Sequence, residues 1–213
     1  MTTTIAGIAV PDSALAKAAT QLVRDTENDL LYNHSRRVFL WGALTGERKG
    51  LKYDPELLYI GAMFHDMGLT EAYTNLNNRF EVDSANAARD FMRRFGVPEG
   101  EVDEVWTAIA LHTTPGIPEH MRPTIALVTA GVEMDVLGIA YQDFSPEHRD
   151  HVCEHHPRGG SFKNDIVNAF AKGMIKRPLT TFGTVNADVL ELKDPRFKRM
   201  NFCTIIRDSD WPS

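Results

Sequence analysis

Apolar side chains recur at three- and four-residue spacing through most of the 213 residues. This spacing is typical of amphipathic helices, and no sustained polar–apolar alternation indicates a sheet. Asp12 or Ser13 can cap a first helix, and Pro55 can open a central one that is apolar on nearly all sides. Glycine and proline residues that are typical of helix ends and turns separate further predicted helices. These lie near residues 33–44, 83–95, 101–112, 122–137, 146–154 and 162–172. The sequence therefore predicts an all-α helical bundle.

The helical spacing fades after Pro178, but apolar residues stay frequent. They are Phe182, Val189, Leu190, Phe197, Phe202, Ile205, Ile206 and Trp211. So many apolar side chains are unexpected in a free tail. We therefore predict a single domain over residues 1–213, with a bundle at about 12–175 and an irregular segment at about 178–213 packed on it.

Composition narrows the class of partner. The formal charge of −6 and the isoelectric point near 5.7 oppose attraction to nucleic acid or anionic membranes. The apolar run Ile5 to Val10 is too short for a signal peptide or a membrane span. Cys153 and Cys203 have no CxxC spacing. We expect a cytoplasmic protein with a small-molecule substrate and no nucleic-acid or membrane partner. The sequence also allows a homo-oligomer.

Two ionisable residues, His65 and Asp66, end the apolar central helix. Burying both is costly unless a metal ion or a charge partner satisfies them. Adjacent helical side chains point about 100 degrees apart, so both reach one ion only near a helix end. His34 and Asp135 are polar residues in partly apolar helical stripes, and Glu133 is a rival for Asp135. The predicted metal ligands are His34, His65, Asp66 and Asp135.

The order of these four residues on separate helices resembles the metal signature of the HD-domain superfamily of metal-dependent hydrolases. Four segments over roughly residues 12–170 are similar to the cyanamide hydratase-like branch: LYNHSRRVFLWG, FHDMGLTEAY, RFEVDSANAARDFM and AIALHTTPGIPEH. The resemblance implies that metal-activated water adds to a small nitrile carbon and converts cyanamide to urea.

Other branches of the superfamily fit less well. Phosphohydrolases usually carry an acid three positions after the HD aspartate, where this chain has Leu69, and Glu71 is the nearest acid. Two-metal branches need two more histidines, and Pro115 lies between the candidates His112 and His120. One divalent ion is therefore expected, Zn²⁺ first, with Fe²⁺, Mn²⁺ or Ni²⁺ as alternatives.

Several polar residues are candidates for the chemistry around the ion. The catalytic candidates are His112, Asp66 and Glu81, and His112, which ends an apolar helix, could deliver a proton. Thr113 and Thr114 could bind a small polar substrate, and Glu81 could orient it. Two alternatives stay open. One is a phosphohydrolase of nucleotide monoesters, and the other is a non-catalytic protein with a structural ion.

In the phosphohydrolase alternative, Arg36 and Arg37 would hold the phosphate. A further histidine-rich run comprises His148, His151, Cys153, His155 and His156. Interspersed acids and Pro157 favour a solvated helix end over a second metal site.

Overall fold

The computed structural model describes residues 3–211, which form ten α-helices and one small hairpin. The helices are α1 (Ala14–Thr26), α2 (Asp29–Arg48), α3 (Pro55–Phe64), α4 (Phe80–Arg94), α5 (Glu99–Leu111), α6 (Pro123–Val132), α7 (Pro146–His155), α8 (Phe162–Met174), α9 (Asn186–Lys193) and α10 (Phe202–Arg207). Short 3-10 turns occupy Met67–Leu69, Pro118–His120, Tyr141–Asp143 and Pro178–Thr181, and a π-helical turn occupies Glu133–Leu137. The predicted all-α class is confirmed.

The hairpin pairs strand β1 (Thr4–Ile5) with strand β2 (Ile8–Ala9) in antiparallel register. Gly7 turns the chain with a φ of 85°, a conformation that glycine adopts without steric cost. Ile5 and Ile8 are buried in the main core. Strands of two residues are too short to produce an alternating pattern, so they could not be predicted from the sequence.

Helix α3 lies at the centre of the bundle, between α2, α5 and α6. All of its residues from Leu57 to Phe64 are buried, as the apolar sequence predicts. Asp54 caps its first turn by accepting from the backbone N–H groups of Glu56 and Leu57. Gly131 of α6 lies directly against α2, where an added Cβ would stand 2.2 Å from the Val38 carbonyl oxygen. A larger residue there would force the two helices apart.

Three of the predicted helices have wrong boundaries. Helix α2 begins at Asp29 because the Asn28 side chain accepts from the Leu31 N–H, so Asn33 lies within the helix. Helix α4 begins at Phe80, three residues before the predicted start. The predicted helix over 122–137 is α-helical only to Val132 and continues as the π-helical turn. Such turns shift the side chains that follow and are frequent at functional sites.

The segment after Pro178 packs on the bundle only in part. Helix α9 buries Leu190 in a second apolar cluster with Phe162 and Ile166 of α8. The packing predicted for the last apolar residues is wrong, because Phe202, Ile205, Ile206 and Trp211 stay exposed. The segment is also less irregular than predicted, since it contains α9 and α10.

None of the helices formed by residues 3–211 combines the length and apolar character needed to cross a bilayer. Cys153 and Cys203 are both free thiols.

Candidate metal centre

Three predicted ligands meet at one end of the central helix. His65 follows the last residue of α3, and Asp66 begins the next turn, while His34 projects from α2. Each offers a ligand atom, and these atoms all lie within 4.8 Å of one another. All three side chains are fully buried. The end of an apolar helix thus carries a compact group of two imidazoles and one carboxylate.

The hydrogen bonds of the two imidazoles determine which nitrogen faces the group. His34 Nδ1 donates to Asp135 Oδ2 at 2.7 Å, and His65 Nδ1 donates to the Ala62 carbonyl at 2.7 Å. The two Nε2 atoms face each other at 3.1 Å. Burial, and then the neighbouring His112 and His34, hold the pKa of His65 well below its usual value. Two nitrogen lone pairs therefore point at the same space.

The Asp66 carboxylate faces the same space. Its Oδ2 lies 3.4 Å from His65 Nε2 and 3.6 Å from His34 Nε2. Both of its oxygens are buried, and no described residue donates a hydrogen bond to them. Desolvation raises the pKa of this carboxyl group. Leaving a carboxylate without partners beside two lone pairs is unfavourable, and a divalent cation satisfies all three groups. The residues therefore fit a divalent metal ion.

His112 lies at the edge of this group. Its Nδ1 donates to the Ile109 carbonyl at 2.6 Å, which leaves Nε2 as an acceptor 3.8 Å from Asp66 Oδ1. Its ring meets the His65 ring edge-to-face, with the centroids 4.9 Å apart. His112 is thus within reach of a small molecule at the centre, as its predicted role requires.

Asp135 lies behind His34. Its carboxylate accepts from His34 Nδ1, from Arg37 Nε at 2.8 Å and Nη2 at 2.9 Å, and from Trp41 Nε1 at 3.1 Å. Arg158 adds a bond at 2.8 Å. Burial alone would raise the pKa of Asp135, but the bonds from His34 and Arg37 outweigh it and keep the pKa below the usual range. Both oxygens are therefore engaged by protein donors.

Sequence reasoning missed the partners of Asp135. Positions 34, 37 and 41 share one face of a helix by their three- and four-residue spacing. That spacing was a usable signal that Arg37 and Trp41 would lie beside His34. Arg37 is fully buried, which its sequence context of polar neighbours does not reveal.

Glu81 organises the opposite side of the centre. It is fully buried and accepts from Arg79 Nη2 at 2.8 Å, from the Thr113 hydroxyl, and from Asn186 Nδ2 at 2.8 Å. Burial would raise its pKa, but the bonds from Arg79 and Thr113 and the nearby His112 lower it. The contact of Asn186 from α9 with Glu81 was not predicted, because nothing in the sequence shows which part of the bundle α9 packs against.

A cavity of about 400 Å³ opens onto the group. His34, His65, Asp66, His112 and Thr113 line it, whereas Thr114 does not. Its other walls are mainly apolar and consist of Pro115, Val132, Val136, Leu137, Val167, Phe170, Val185 and Val189, with Glu133, Asn186 and Asp188 as polar members. No lysine or arginine lines this cavity within the described part of the chain.

Arg36 and Arg37, the predicted phosphate-binding residues of the phosphohydrolase alternative, bind other protein groups. Arg36 bonds the Tyr59 hydroxyl and His156 Nε2, and Arg37 bonds Asp135. The histidine-rich run also forms no metal group, since the one found among residues 3–211 is His34, His65 and Asp66. Burial and the charges of Arg36 and Arg37 lower the pKa of His156 to about 3. His148, His151 and His155 are exposed, as predicted for a solvated helix, whereas His156 at the end of α7 is buried.

A helical bundle with a buried His–His–Asp group at the mouth of a cavity defines a metal-dependent hydrolase-type protein. Residues 31–150, more than half of the chain, match the family model of the HD domain, so the chain belongs to the HD-domain family. His34, His65, Asp66, His112 and Asp135 all lie inside the matched region, whereas α8 and α9 lie beyond it. No curated protein sequence matches the chain.

Proposed function

We propose that this protein is a metal-dependent hydratase or hydrolase that adds water to a small, uncharged nitrile-like substrate such as cyanamide, which would yield urea. The observation that carries the proposal is the cavity beside His65 and Asp66. It is large enough for a substrate and mostly apolar, and no lysine or arginine of the described residues lines it. A neutral, linear carbon–nitrogen triple bond needs no cationic clamp, so such a cavity suits it.

His34, His65 and Asp66 would hold one divalent ion, with Zn²⁺ as the first choice and Fe²⁺, Mn²⁺ or Ni²⁺ as alternatives. A bound divalent ion supplies Lewis acidity and makes water a nucleophile near neutral pH. Asp135, the fourth predicted ligand, could contribute directly only by releasing donors that it now binds. Its bond to His34 Nδ1 supports a second role, in which it keeps His34 Nε2 directed at the ion.

The neighbouring side chains would position the substrate and move a proton. His112 Nε2 faces the centre, and its protonated form would donate to the nitrogen that gains charge during water addition. Thr113 lies in the cavity wall with its hydroxyl proton directed at Glu81, so it offers the substrate an oxygen rather than a donor. The apolar walls would exclude bulk water from the reaction.

The two alternatives are less well supported. No lysine or arginine among the described residues lines the cavity to bind a nucleotide phosphate, and the wall carries the Glu133 carboxylate. Asp188 also lines the cavity, but Arg199 pairs with it. A purely structural ion usually has a closed set of four ligands. Here the three-ligand group opens directly onto a cavity, which favours catalysis.

The test compares two substrate classes on the metal-replete protein. We expect cyanamide hydration, followed as urea release, to exceed hydrolysis of deoxynucleoside monophosphates at least about tenfold in kcat/KM. His112→Ala should depress hydration at unchanged metal content, and Thr114→Ala is the matched control because Thr114 does not line the cavity. Nucleotide hydrolysis without nitrile hydration would overturn the proposal.

A further inference from the structure

The wall of the cavity that faces the metal group comes from the C-terminal part of the chain. Val167 and Phe170 of α8 contribute to it, together with Val185 and, from α9, Asn186 and Val189. These residues lie outside the region that matches the HD domain. The matched region supplies the candidate ligands, whereas this part of the cavity wall comes from outside it.

Asn186 is one of two polar residues that this part of the chain adds to the wall, the other being Asp188. The Asn186 side chain is buried, with 5% of the residue exposed, and its Nδ2 donates to Glu81 Oε1 at 2.8 Å. A carboxylate is only an acceptor, so the amide nitrogen must face Glu81 and the amide oxygen must face away. Arg79 and Thr113 donate to the same carboxylate and hold it in place. The orientation of the Asn186 amide is therefore fixed.

The Asn186 amide oxygen has no protein partner. No described residue donates a hydrogen bond to Oδ1, although the bond of Nδ2 to Glu81 and the backbone bond to Thr184 are both made. This oxygen is not among the fully buried unpaired atoms, so part of its surface is accessible. Asn186 lines the cavity, which is the space that this surface can face. An oriented acceptor in a largely apolar cavity is well placed to select a ligand with a hydrogen-bond donor.

The size of the cavity bears on the rest of the ligand. Cyanamide has three non-hydrogen atoms, whereas about 400 Å³ holds roughly a dozen water-sized groups at about 30 Å³ each. The surplus space is bounded by Val167, Phe170 and Val189, which favour an apolar substituent. No lysine or arginine among the described residues lines the cavity, and the wall carries the Glu133 carboxylate, so a neutral ligand suits it better than an anion. Asp188 also lines the cavity, but Arg199 pairs with it.

We propose that Asn186 is a substrate-binding residue whose Oδ1 accepts a hydrogen bond from a substrate N–H, and that the substrate is a neutral compound with an apolar substituent on that nitrogen. The inference rests on the proposed function, for which the substrate class becomes the N-substituted cyanamides. Water oxygen would bond to the nitrile carbon, and both water protons would end on the nitrile nitrogen. The substituted N–H is not broken, so it can stay bound to Asn186 throughout.

The test uses two probes that contain no nitrile, so binding is measured without hydration. N-benzylformamide carries one N–H donor, and N-benzyl-N-methylformamide carries none. We expect calorimetry on the metal-replete protein to show at least about tenfold tighter binding of the first probe. Asn186→Leu should reduce the preference to less than about twofold at unchanged metal content. Asp188→Asn is the matched control, because Asp188 lines the same cavity, and it should keep the preference.

A second variant covers the case in which Asn186→Leu does not fold. In Glu81→Gln, the new amide can donate to Asn186 Oδ1 and let the Asn186 amide turn over, so the preference should fall while metal content stays. A wild-type protein that binds both probes equally, or neither, would overturn the role of Asn186. Probe selectivity without urea formation from cyanamide would keep that role and reject the proposed function. Cyanamide hydration without probe selectivity would keep the proposed function and reject the role of Asn186.

Discussion

Replacing Asp66 by alanine is expected to weaken binding of the divalent ion at least about 100-fold, and His65→Ala should do the same. Each variant removes one of only three donor groups that converge within 4.8 Å. Changes to the partners of a metal ligand already cost about 10- to 100-fold in affinity, so loss of a ligand itself should cost at least as much. The measurement is calorimetric titration with Zn²⁺, supported by metal analysis after dialysis against a weak chelator.

His120→Ala is the control for these two variants. His120 is a histidine of the same region, but its side chain is 78% exposed and lies beside Glu119. Its removal should leave affinity for the ion unchanged. Wild-type metal occupancy in both Asp66→Ala and His65→Ala would reject the assignment of these residues as ligands.

The second large effect is expected on stability. In Asp135→Ala the fully buried Arg37 guanidinium loses the carboxylate that it binds through Nε and Nη2. An uncompensated buried charge costs about 3–5 kcal/mol, so the free energy of unfolding should fall by about that amount. Denaturant unfolding of the metal-free protein measures this change without a contribution from metal loss.

Two further variants show whether the loss arises from the charge pair. Glu133→Ala changes an acid of the same π-helical turn that is only half-buried, and it should cost less than about 1 kcal/mol. Arg37→Met combined with Asp135→Ala should be more stable than Asp135→Ala alone, because the unpaired charge is gone. A decrease below about 1 kcal/mol in Asp135→Ala would show that the pair does not support the fold.

The parts of the site that could be predicted from the sequence depend on local spacing. The apolar run from Leu57 to Phe64 predicts a buried helix, and the two ionisable residues after it predict a site at its end. The structure confirms the buried helix, and it brings the two ionisable residues together with His34 at the end of that helix. His34 could be placed beside them because it is a polar residue in a helical stripe, and α2 does pack on α3.

The parts that could not be predicted depend on how distant segments meet. Asn186 reaches Glu81 across 105 residues, and Arg158 reaches Asp135 from the loop before α8. Phe202 and Ile206 were predicted to pack on the bundle, but they are exposed. An apolar face is visible in a sequence, but whether another element covers it depends on tertiary packing.

The most direct test of the metal centre is metal analysis of the wild-type protein purified without added ions, expressed as ions per chain. The group of His34, His65 and Asp66, with no second such group among residues 3–211, predicts a value close to one. Asp66→Ala purified in parallel should give a value close to zero. A wild-type protein that carries no divalent ion and takes up none on titration, or one that binds two per chain, would contradict the single centre described here.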